Sequence, residues 1–317
     1  MTLPHSIALR SRVPAHADGA TLLDYLLQRF PYHDRATWLG EIAGGRLLVG
    51  ERAGRAEHVL RRGAVVTYLK EHREPIVDAD IRVMHDDDAI VVAEKPAHLP
   101  MHADGPFVRN TFIHVLRTTL ASPALQLVHR LDRETSGLCV VPRTRAARIA
   151  LQDQFRTGTV QKTYVAVVHG RVERDFACEQ PIGLAASSAI ALRRTALPEA
   201  IEPRPACTRF EVLKRGEART MLRCVPKTGR THQIRVHLEA AGFPLLGDKL
   251  YGRSDADYLA FVASVKAGGD ARDVPANQPD RHLLHASELC FDHPRTGRRL
   301  AFSSAPPAIF EAWLERS

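Results

Sequence analysis

An α+β fold is what this sequence predicts, on three observations. Strand-like and helix-like segments follow one another without the strict alternation of a doubly wound sheet. The stretch Glu288 to Asp292 pairs naturally with Leu300 to Ser303 across the turn Pro294-Arg295-Thr296-Gly297, the pattern of an antiparallel hairpin. The first 70 or so residues read as a small module of their own, ahead of a larger domain.

In that module Leu22, Leu23, Leu26, Leu27 and Phe30 recur at helical spacing, and Trp38 and Ile42 mark a second helix ended by Gly44-Gly45. A short strand, Arg46 to Val49, follows, then a turn and strand over Val59 to Tyr68. Residues 73–80, with Pro75 and mixed charges, read as a linker between a module of residues 1–72 and a domain of residues 81–317. In the domain, Ile81 to Met84 and Ile90 to Ala93 are strand-like around Asp86-Asp87-Asp88, which is turn chemistry and not a metal site. Thr111 to Leu120 and Thr144 to Phe155 read as helices. Leu125 to Val128 and Leu138 to Val141 read as buried strand ends on either side of a polar loop, and Val160 to Val168 and Thr220 to Val225 as strands. Thr231 is the expected N-cap of a short helix with Ile234, Leu238 and Ala241 on its buried stripe. Ser254 to Arg281 reads as a polar, partly helical surface insertion.

Composition narrows the function. The chain has 317 residues, a formal charge of +8 and a pI near 9.5, which favours a polyanionic partner. From Arg143 to Arg174 there are seven Lys/Arg against two Asp/Glu, and from Arg193 to Arg235 eleven against four, so the cations cluster where phosphate contacts would be made. No apolar run of about 18 residues occurs, and Met1 to His5 lacks the apolar core of a signal peptide, so a cytoplasmic protein is expected. Five scattered cysteines with no C-x-x-C pair indicate neither a disulfide framework nor a zinc ribbon.

Chemistry concentrates in three segments. The loop His129-Arg130-Leu131-Asp132-Arg133-Glu134-Thr135-Ser136-Gly137 sets a carboxylate, Asp132, between two arginines that would keep it ionised. Such a group is a nucleophile, a base or a structural bridge between the arginines. Lys162 to Gly170 is a strand on which Tyr164 and Ala166 share a face, where a tyrosine can stack on a base. In Gly229 to His237, Arg235 and His232 lie off the buried helical stripe and can face a cleft.

Together these segments resemble the RluA family of RNA pseudouridine synthases. H-R-L-D-x-x-T-S-G is matched by His129 to Gly137, K-x-Y-x-A-x-x-x-G by Lys162 to Gly170, and G-R-T-H-Q-I-R-x-H by Gly229 to His237. Glu94-Lys95-Pro96, Leu284-His285-Ala286 and His293-Pro294 add to the likeness, which spans residues 75 to 310 or so. The resemblance implies a large, mixed, mainly antiparallel sheet flanked by helices and loops, and isomerisation of uridine to pseudouridine within RNA. It implies Asp132 as the catalytic aspartate, Tyr164 stacked near the target uracil and Arg235 paired with the aspartate. It also implies RNA-binding roles for His129, Arg130, Arg133, Thr135, Lys95, Lys162, Arg230, His232 and Gln233, with Arg133 placed to enter a vacated base stack. The amino-terminal module resembles the RNA-binding module named for ribosomal protein S four, with Asp34-Arg35 where that module usually has Ser-Arg.

No cofactor is implied, because no Walker or dinucleotide fingerprint is present, and no metal, because the sixteen histidines include no H-E-x-x-H. No obligatory protein partner is evident. A noncatalytic RNA-binding protein that kept the fold is the alternative, opposed by the presence of Asp132, Tyr164 and Arg235. His72 to Pro75, Met101 to Gly105 and Asn110-Thr111 resemble a branch acting on transfer RNA, so transfer RNA is expected slightly ahead of ribosomal RNA.

Overall fold

The computed structural model describes residues 5–267 and 269–316. Residues 1–4 of the segment read for a signal peptide lie outside them. The chain divides into two compact units, one ending at Ile76 and the other beginning at Val77.

In the amino-terminal unit, β1 (His5–Arg12) is followed by α1 (Leu22–Arg29), α2 (Arg35–Ala43), β2 (Leu47–Val49), β3 (Arg52–Ala53) and β4 (Val65–His72). The helices start where hydroxyl and carboxylate caps allow: Thr21 accepts the N–H of Asp24, and Asp34 that of Thr37. Leu22, Leu23, Leu26 and Trp38 bury one face of the pair against Leu47, Leu60 and Val66. The sheet runs in the order β1-β4-β2-β3, and β1 pairs with β4 antiparallel from His5 to Arg12. β1 was not expected from the sequence, because an edge strand with Leu9 44% exposed carries no buried alternation.

The second unit is built on a nine-stranded sheet, ordered β5 (Arg82–Asp86), β6 (Ile90–Lys95), β7 (Ser136–Pro142), β15 (Leu284–Asp292), β8 (Gln161–His169), β14 (Arg219–Pro226), β13 (Thr208–Arg215) and β9 (Phe176–Cys178), with β16 (Arg299–Ser303) also on β15. Only the β7–β15 pairing is parallel, so the sheet is mixed and mainly antiparallel, the α+β architecture expected. The uninterrupted apolar runs of β6 and β7 are interior strands of this sheet; every residue of β7 is buried. Asp87 makes the β5–β6 turn by accepting the N–H groups of Ala89 and Ile90 at 2.7 and 2.9 Å, which is the turn role expected of the aspartate run. A small sheet of β10 (Ile182–Leu184), β11 (Arg194–Thr195) and β12 (Ile201–Arg204) interrupts the basic region. β12 is exposed along its length, β11 is half-buried and β10 has only three residues, so none of them gave a periodic signal.

Helices α3 (Phe112–Thr119) and α4 (Arg145–Thr157) start at the capping residues Thr111 and Thr144. Two expectations need correction. Leu125 to Val128 is irregular, because the Leu125 carbonyl is taken by the Arg117 guanidinium at 2.9 and 2.6 Å and enters no ladder. The helix α5 (Gln233–Ala240) is capped by His232 at φ 58°, not by Thr231, and that cap has no side-chain hydrogen bond to the helix. Its stripe stands as expected, with Ile234 and Leu238 in the core and Ala241 against them. The stretch from Ser254 to Arg281 is the partly helical surface segment expected: α6 (Asp255–Lys266) starts at a reciprocal capping box of Ser254 and Asp257, and none of its residues is buried. A last helix, α7 (Ile309–Leu314), packs Phe310, Trp313 and Leu314 against β8 and β14 through Val167 and Met221. Among the described residues no helix is long and apolar enough to cross a membrane.

Candidate active site

Strand β7 cannot tolerate a side chain at its second position. Gly137 has φ +113°, and a Cβ there would stand 2.3 Å from the carbonyl oxygen of Ala286, its partner on β15. Just before this close β7–β15 approach lies the loop of residues 129–135, whose Thr135 N–H closes a turn on the Asp132 carbonyl at 3.1 Å. That loop, the β8 face bearing Tyr164, and the start of α5 wall one cleft of about 660 Å³.

Asp132 stands on the cleft wall, its side chain 22% exposed. Its Oδ2 accepts Arg235 Nη1 at 2.8 Å, and its Oδ1 lies 3.8 Å from His232 Nε2. Burial opposes ionisation of this carboxyl, and the surrounding charges outweigh it, so its pKa lies below the usual carboxylate range. Of those charges His232 acts only when protonated, and burial draws that imidazole down to about 4. At neutral pH the holding cations are Arg235 and Arg130.

Arg235 is itself clamped. Its Nε and Nη2 donate to Asp248 at 2.6 and 2.8 Å, and its guanidinium carbon lies 4.8 Å from the centre of the Tyr251 ring. The Tyr251 hydroxyl and His232 Nδ1 are 2.8 Å apart. Neither Asp248 nor Tyr251 was assigned a role from sequence. The signal available was a carboxylate and a phenol bracketed by glycines after an apolar pair, which marks a tight buried turn.

A second buried group fixes the other end of the loop. Glu134 accepts Lys249 Nζ at 3.1 Å and the backbone N–H of His282 at 2.9 Å. Thr135 Oγ1 is 2.7 Å from His282 Nε2, and the buried His282 is held neutral, its pKa pushed far down by burial and then by Arg235 and Arg281. Thr135, expected at RNA, spends its hydroxyl inside the protein.

The same holds for three other expected RNA contacts. Lys95 is fully buried and its ammonium donates to the carbonyls of Pro96, Leu99 and Arg133 at 2.7, 2.9 and 3.1 Å, so it fastens the loop from behind and cannot grip a phosphate. Burial brings its pKa down to about 7. Gln233 is saturated by the Arg230 N–H and Thr228 hydroxyl, which it accepts, and by the Cys207 carbonyl and Thr208 hydroxyl, to which it donates. His129 stacks on Phe155 at 4.7 Å and accepts the Val140 N–H at 3.0 Å; burial, with Lys162 adding to it, brings it down to about 3. Its ring borders the cleft as a neutral wall.

Other expected residues do face the cleft. Arg130, Lys162, Arg230 and His232 line it, joined by Lys227, which sequence reading had not singled out. Arg230 also donates through Nε to the Pro205 carbonyl at 2.9 Å. Tyr164 lines it from β8, paired with Cys224 of β14 and Ala286 of β15. Burial, and then the charges beside it including Asp132, push its phenol well above the ordinary tyrosine value. Arg133 is half-buried, its guanidinium 6.0 Å from the centre of the Phe107 ring. Among the described residues no group of three or more His, Cys, Asp or Glu could hold a metal ion.

A mixed α+β sheet with an ionised carboxylate in a cation-walled cleft defines the class, an enzyme that acts on a polyanion. Comparison with known proteins makes this specific. Residues 89–240 match the family described as RNA pseudouridylate synthase. Over 314 residues the chain is 33% identical to the ribosomal large subunit pseudouridine synthase D of Pseudomonas aeruginosa, an overlap of 96% of this chain and 93% of that protein. The protein of the same name from Nitrosomonas europaea is 31% identical over 314 residues, 96% of this chain and 86% of its own. The solved structure of human RNA pseudouridylate synthase domain containing 4 superposes with a TM-score of 0.55 at 28% identity, covering 74% of this chain and 91% of that one. The chain belongs to the RluA-type family of RNA pseudouridine synthases, isomerases that convert uridine to pseudouridine in RNA.

Proposed function

We propose that Asp132 is the catalytic carboxylate and that the substrate is a uridine of structured RNA in the cytoplasm, with large-subunit ribosomal RNA the first target. The Asp132–Arg235 contact at 2.8 Å carries the reading: it holds one carboxylate oxygen while the side chain remains partly open to the cleft. The reaction breaks the bond from uracil nitrogen 1 to the ribose, turns the base and rejoins it through carbon 5; carbon 5 gives up its proton and nitrogen 1 gains one, so composition is unchanged. An ionised aspartate serves either by attacking the sugar carbon and being displaced when carbon 5 returns, or by removing a sugar proton and restoring it. Tyr164 is a stacking surface for the turning base. Its raised pKa keeps the phenol protonated at neutral pH and disfavours it as the base that takes the carbon 5 proton.

Arg130, Arg156, Lys162, Lys227 and Arg230 are cleft cations available to RNA phosphates. Ribosomal RNA is placed ahead of transfer RNA, reversing the slight lean of the sequence patterns, because relatives named for the large ribosomal subunit align along nearly the whole chain. The amino-terminal unit, through its helix pair with Arg35 exposed at the start of α2, is proposed to add RNA affinity.

The test is pseudouridine mapping of ribosomal and transfer RNA from a deletion strain complemented with wild type or Asp132→Asn. Wild type is expected to restore a ribosomal site and Asp132→Asn to leave it as uridine. Equal restoration by both removes Asp132 from the chemistry, and a restored site in transfer RNA alone overturns the target.

A further inference from the structure

Asp248 stands one layer behind the wall of the cleft that holds Asp132, and it neither lines that cleft nor touches Asp132. Its side chain has no exposed area, and its carboxylate takes four hydrogen bonds: Arg235 Nε and Nη2 at 2.6 and 2.8 Å, and the N–H groups of Leu250 and Tyr251 at 2.8 and 3.0 Å. A guanidinium offers five N–H donors in a planar fork. Asp248 takes one edge of that fork bidentately, which leaves Nη1 as the end that reaches Asp132, in a single contact at 2.8 Å.

Two consequences follow from the count of charges and bonds. Two carboxylates share one guanidinium, so the cluster carries a net negative charge when all are ionised, whereas an isolated Asp–Arg pair would be neutral. A carboxylate fully matched by its own arginine is a poorer nucleophile and a poorer base than one whose partner is already engaged. The two-point grip also fixes the rotation of the fork, which a single contact does not, and Tyr251 packed on the guanidinium face adds to the constraint.

We infer that Asp248 is a positioning residue for the isomerisation: by holding one edge of Arg235 and offsetting its charge, it keeps the Asp132 carboxylate aimed and reactive. The inference rests on Asp132 being the catalytic carboxylate, as proposed above.

Steady-state kinetics of the full-length Asp248→Asn variant on an RNA fragment containing the restored site test it. Asparagine keeps the size and one acceptor but removes the charge, so kcat is expected to fall about 10- to 100-fold, the scale of a misaimed reacting group, with KM little changed. The acid limb of the kcat–pH profile should move to lower pH, because Asp132 then faces the undivided charge of Arg235. A role confined to stability would lower the melting temperature and leave that limb in place. In the double variant Asp248→Asn/Arg235→Gln, kcat should be no lower than in Arg235→Gln alone, because Asp248 acts through Arg235. A single variant with kcat within about twofold of wild type and an unmoved limb overturns the inference, and so does a double variant whose losses multiply. Should Asp248→Asn not fold, Asp248→Glu takes its place: it keeps the charge and displaces the fork, so a lowered kcat with an unmoved limb is expected, and wild-type kcat overturns the inference. Asp132→Asn, run in parallel, separates the two readings, since its retained activity would refute Asp132 whatever Asp248 does.

Discussion

Replacing Lys95 by methionine keeps the length of the side chain and removes its donors, which separates a structural lysine from one that grips RNA. Three carbonyl oxygens would lose their partner: that of Leu99 in a fully buried bond at 2.9 Å, and those of Pro96 and Arg133 in partly buried ones at 2.7 and 3.1 Å. A buried acceptor left unmade costs about 1–3 kcal/mol, and relief from burying an ammonium offsets part of the total. A net loss of roughly 2–4 kcal/mol is expected, which in a unit of this size lowers the melting temperature by about 5–15 °C. The Arg133 carbonyl belongs to the loop that bears Asp132, so activity should decline with the loosened loop. RNA affinity measured across a salt series should keep its slope, because no phosphate contact is lost. A variant with wild-type melting temperature and a slope reduced by about one unit, the mark of a lost phosphate contact, would refute this placement of Lys95.

Other outcomes follow from the same geometry. Gly137→Ala places a methyl 2.3 Å from the Ala286 carbonyl oxygen and 2.6 Å from its nitrogen, at a φ of +113°; a loss of about 4 kcal/mol or failure to fold is expected, and wild-type thermal stability would show that the β7–β15 approach is misjudged. His129 stays neutral in the fold down to about pH 3, whereas the unfolded chain binds its proton near pH 6.5. Unfolding free energy should therefore fall as pH drops through that window, by about 1.4 kcal/mol per pH unit for this residue. His129→Phe, which retains the stack on Phe155, should flatten the acid side of a pH–stability curve by that amount, and an unchanged slope would count against the buried neutral ring. Arg133→Ala should slow modification of a folded RNA far more than that of a short single strand; equal rates on both would remove Arg133 from base extrusion.

The parts of the fold legible in sequence were those whose signal is local. Continuous apolar runs marked β6, β7 and β8, and apolar periodicity marked α3 and α4. β1 and the small sheet of β10 to β12 escaped because β1, β11 and β12 are partly or wholly exposed and β10 has only three residues, so none needs an alternation of apolar residues. In the site, His232 holds a left-handed backbone at φ 58°, a conformation that side-chain identity alone does not announce. Lys95, Thr135 and Gln233 read as RNA contacts because a polar side chain in a motif looks alike whether it faces solvent or a carbonyl.

By itself the sequence determined the α+β class, the family and the three segments that meet at the cleft, because periodicity, capping and motif spacing are properties of neighbouring residues. The tertiary structure alone decided which polar groups are spent inside the protein and which face the cleft. Asp132 and Arg235 are 103 residues apart, and Glu134 and Lys249 are 115 apart. Burial and hydrogen-bond partnership depend on such distant residues arriving at the same place, and with them the charge balance among Asp132, Arg235 and Asp248 is set.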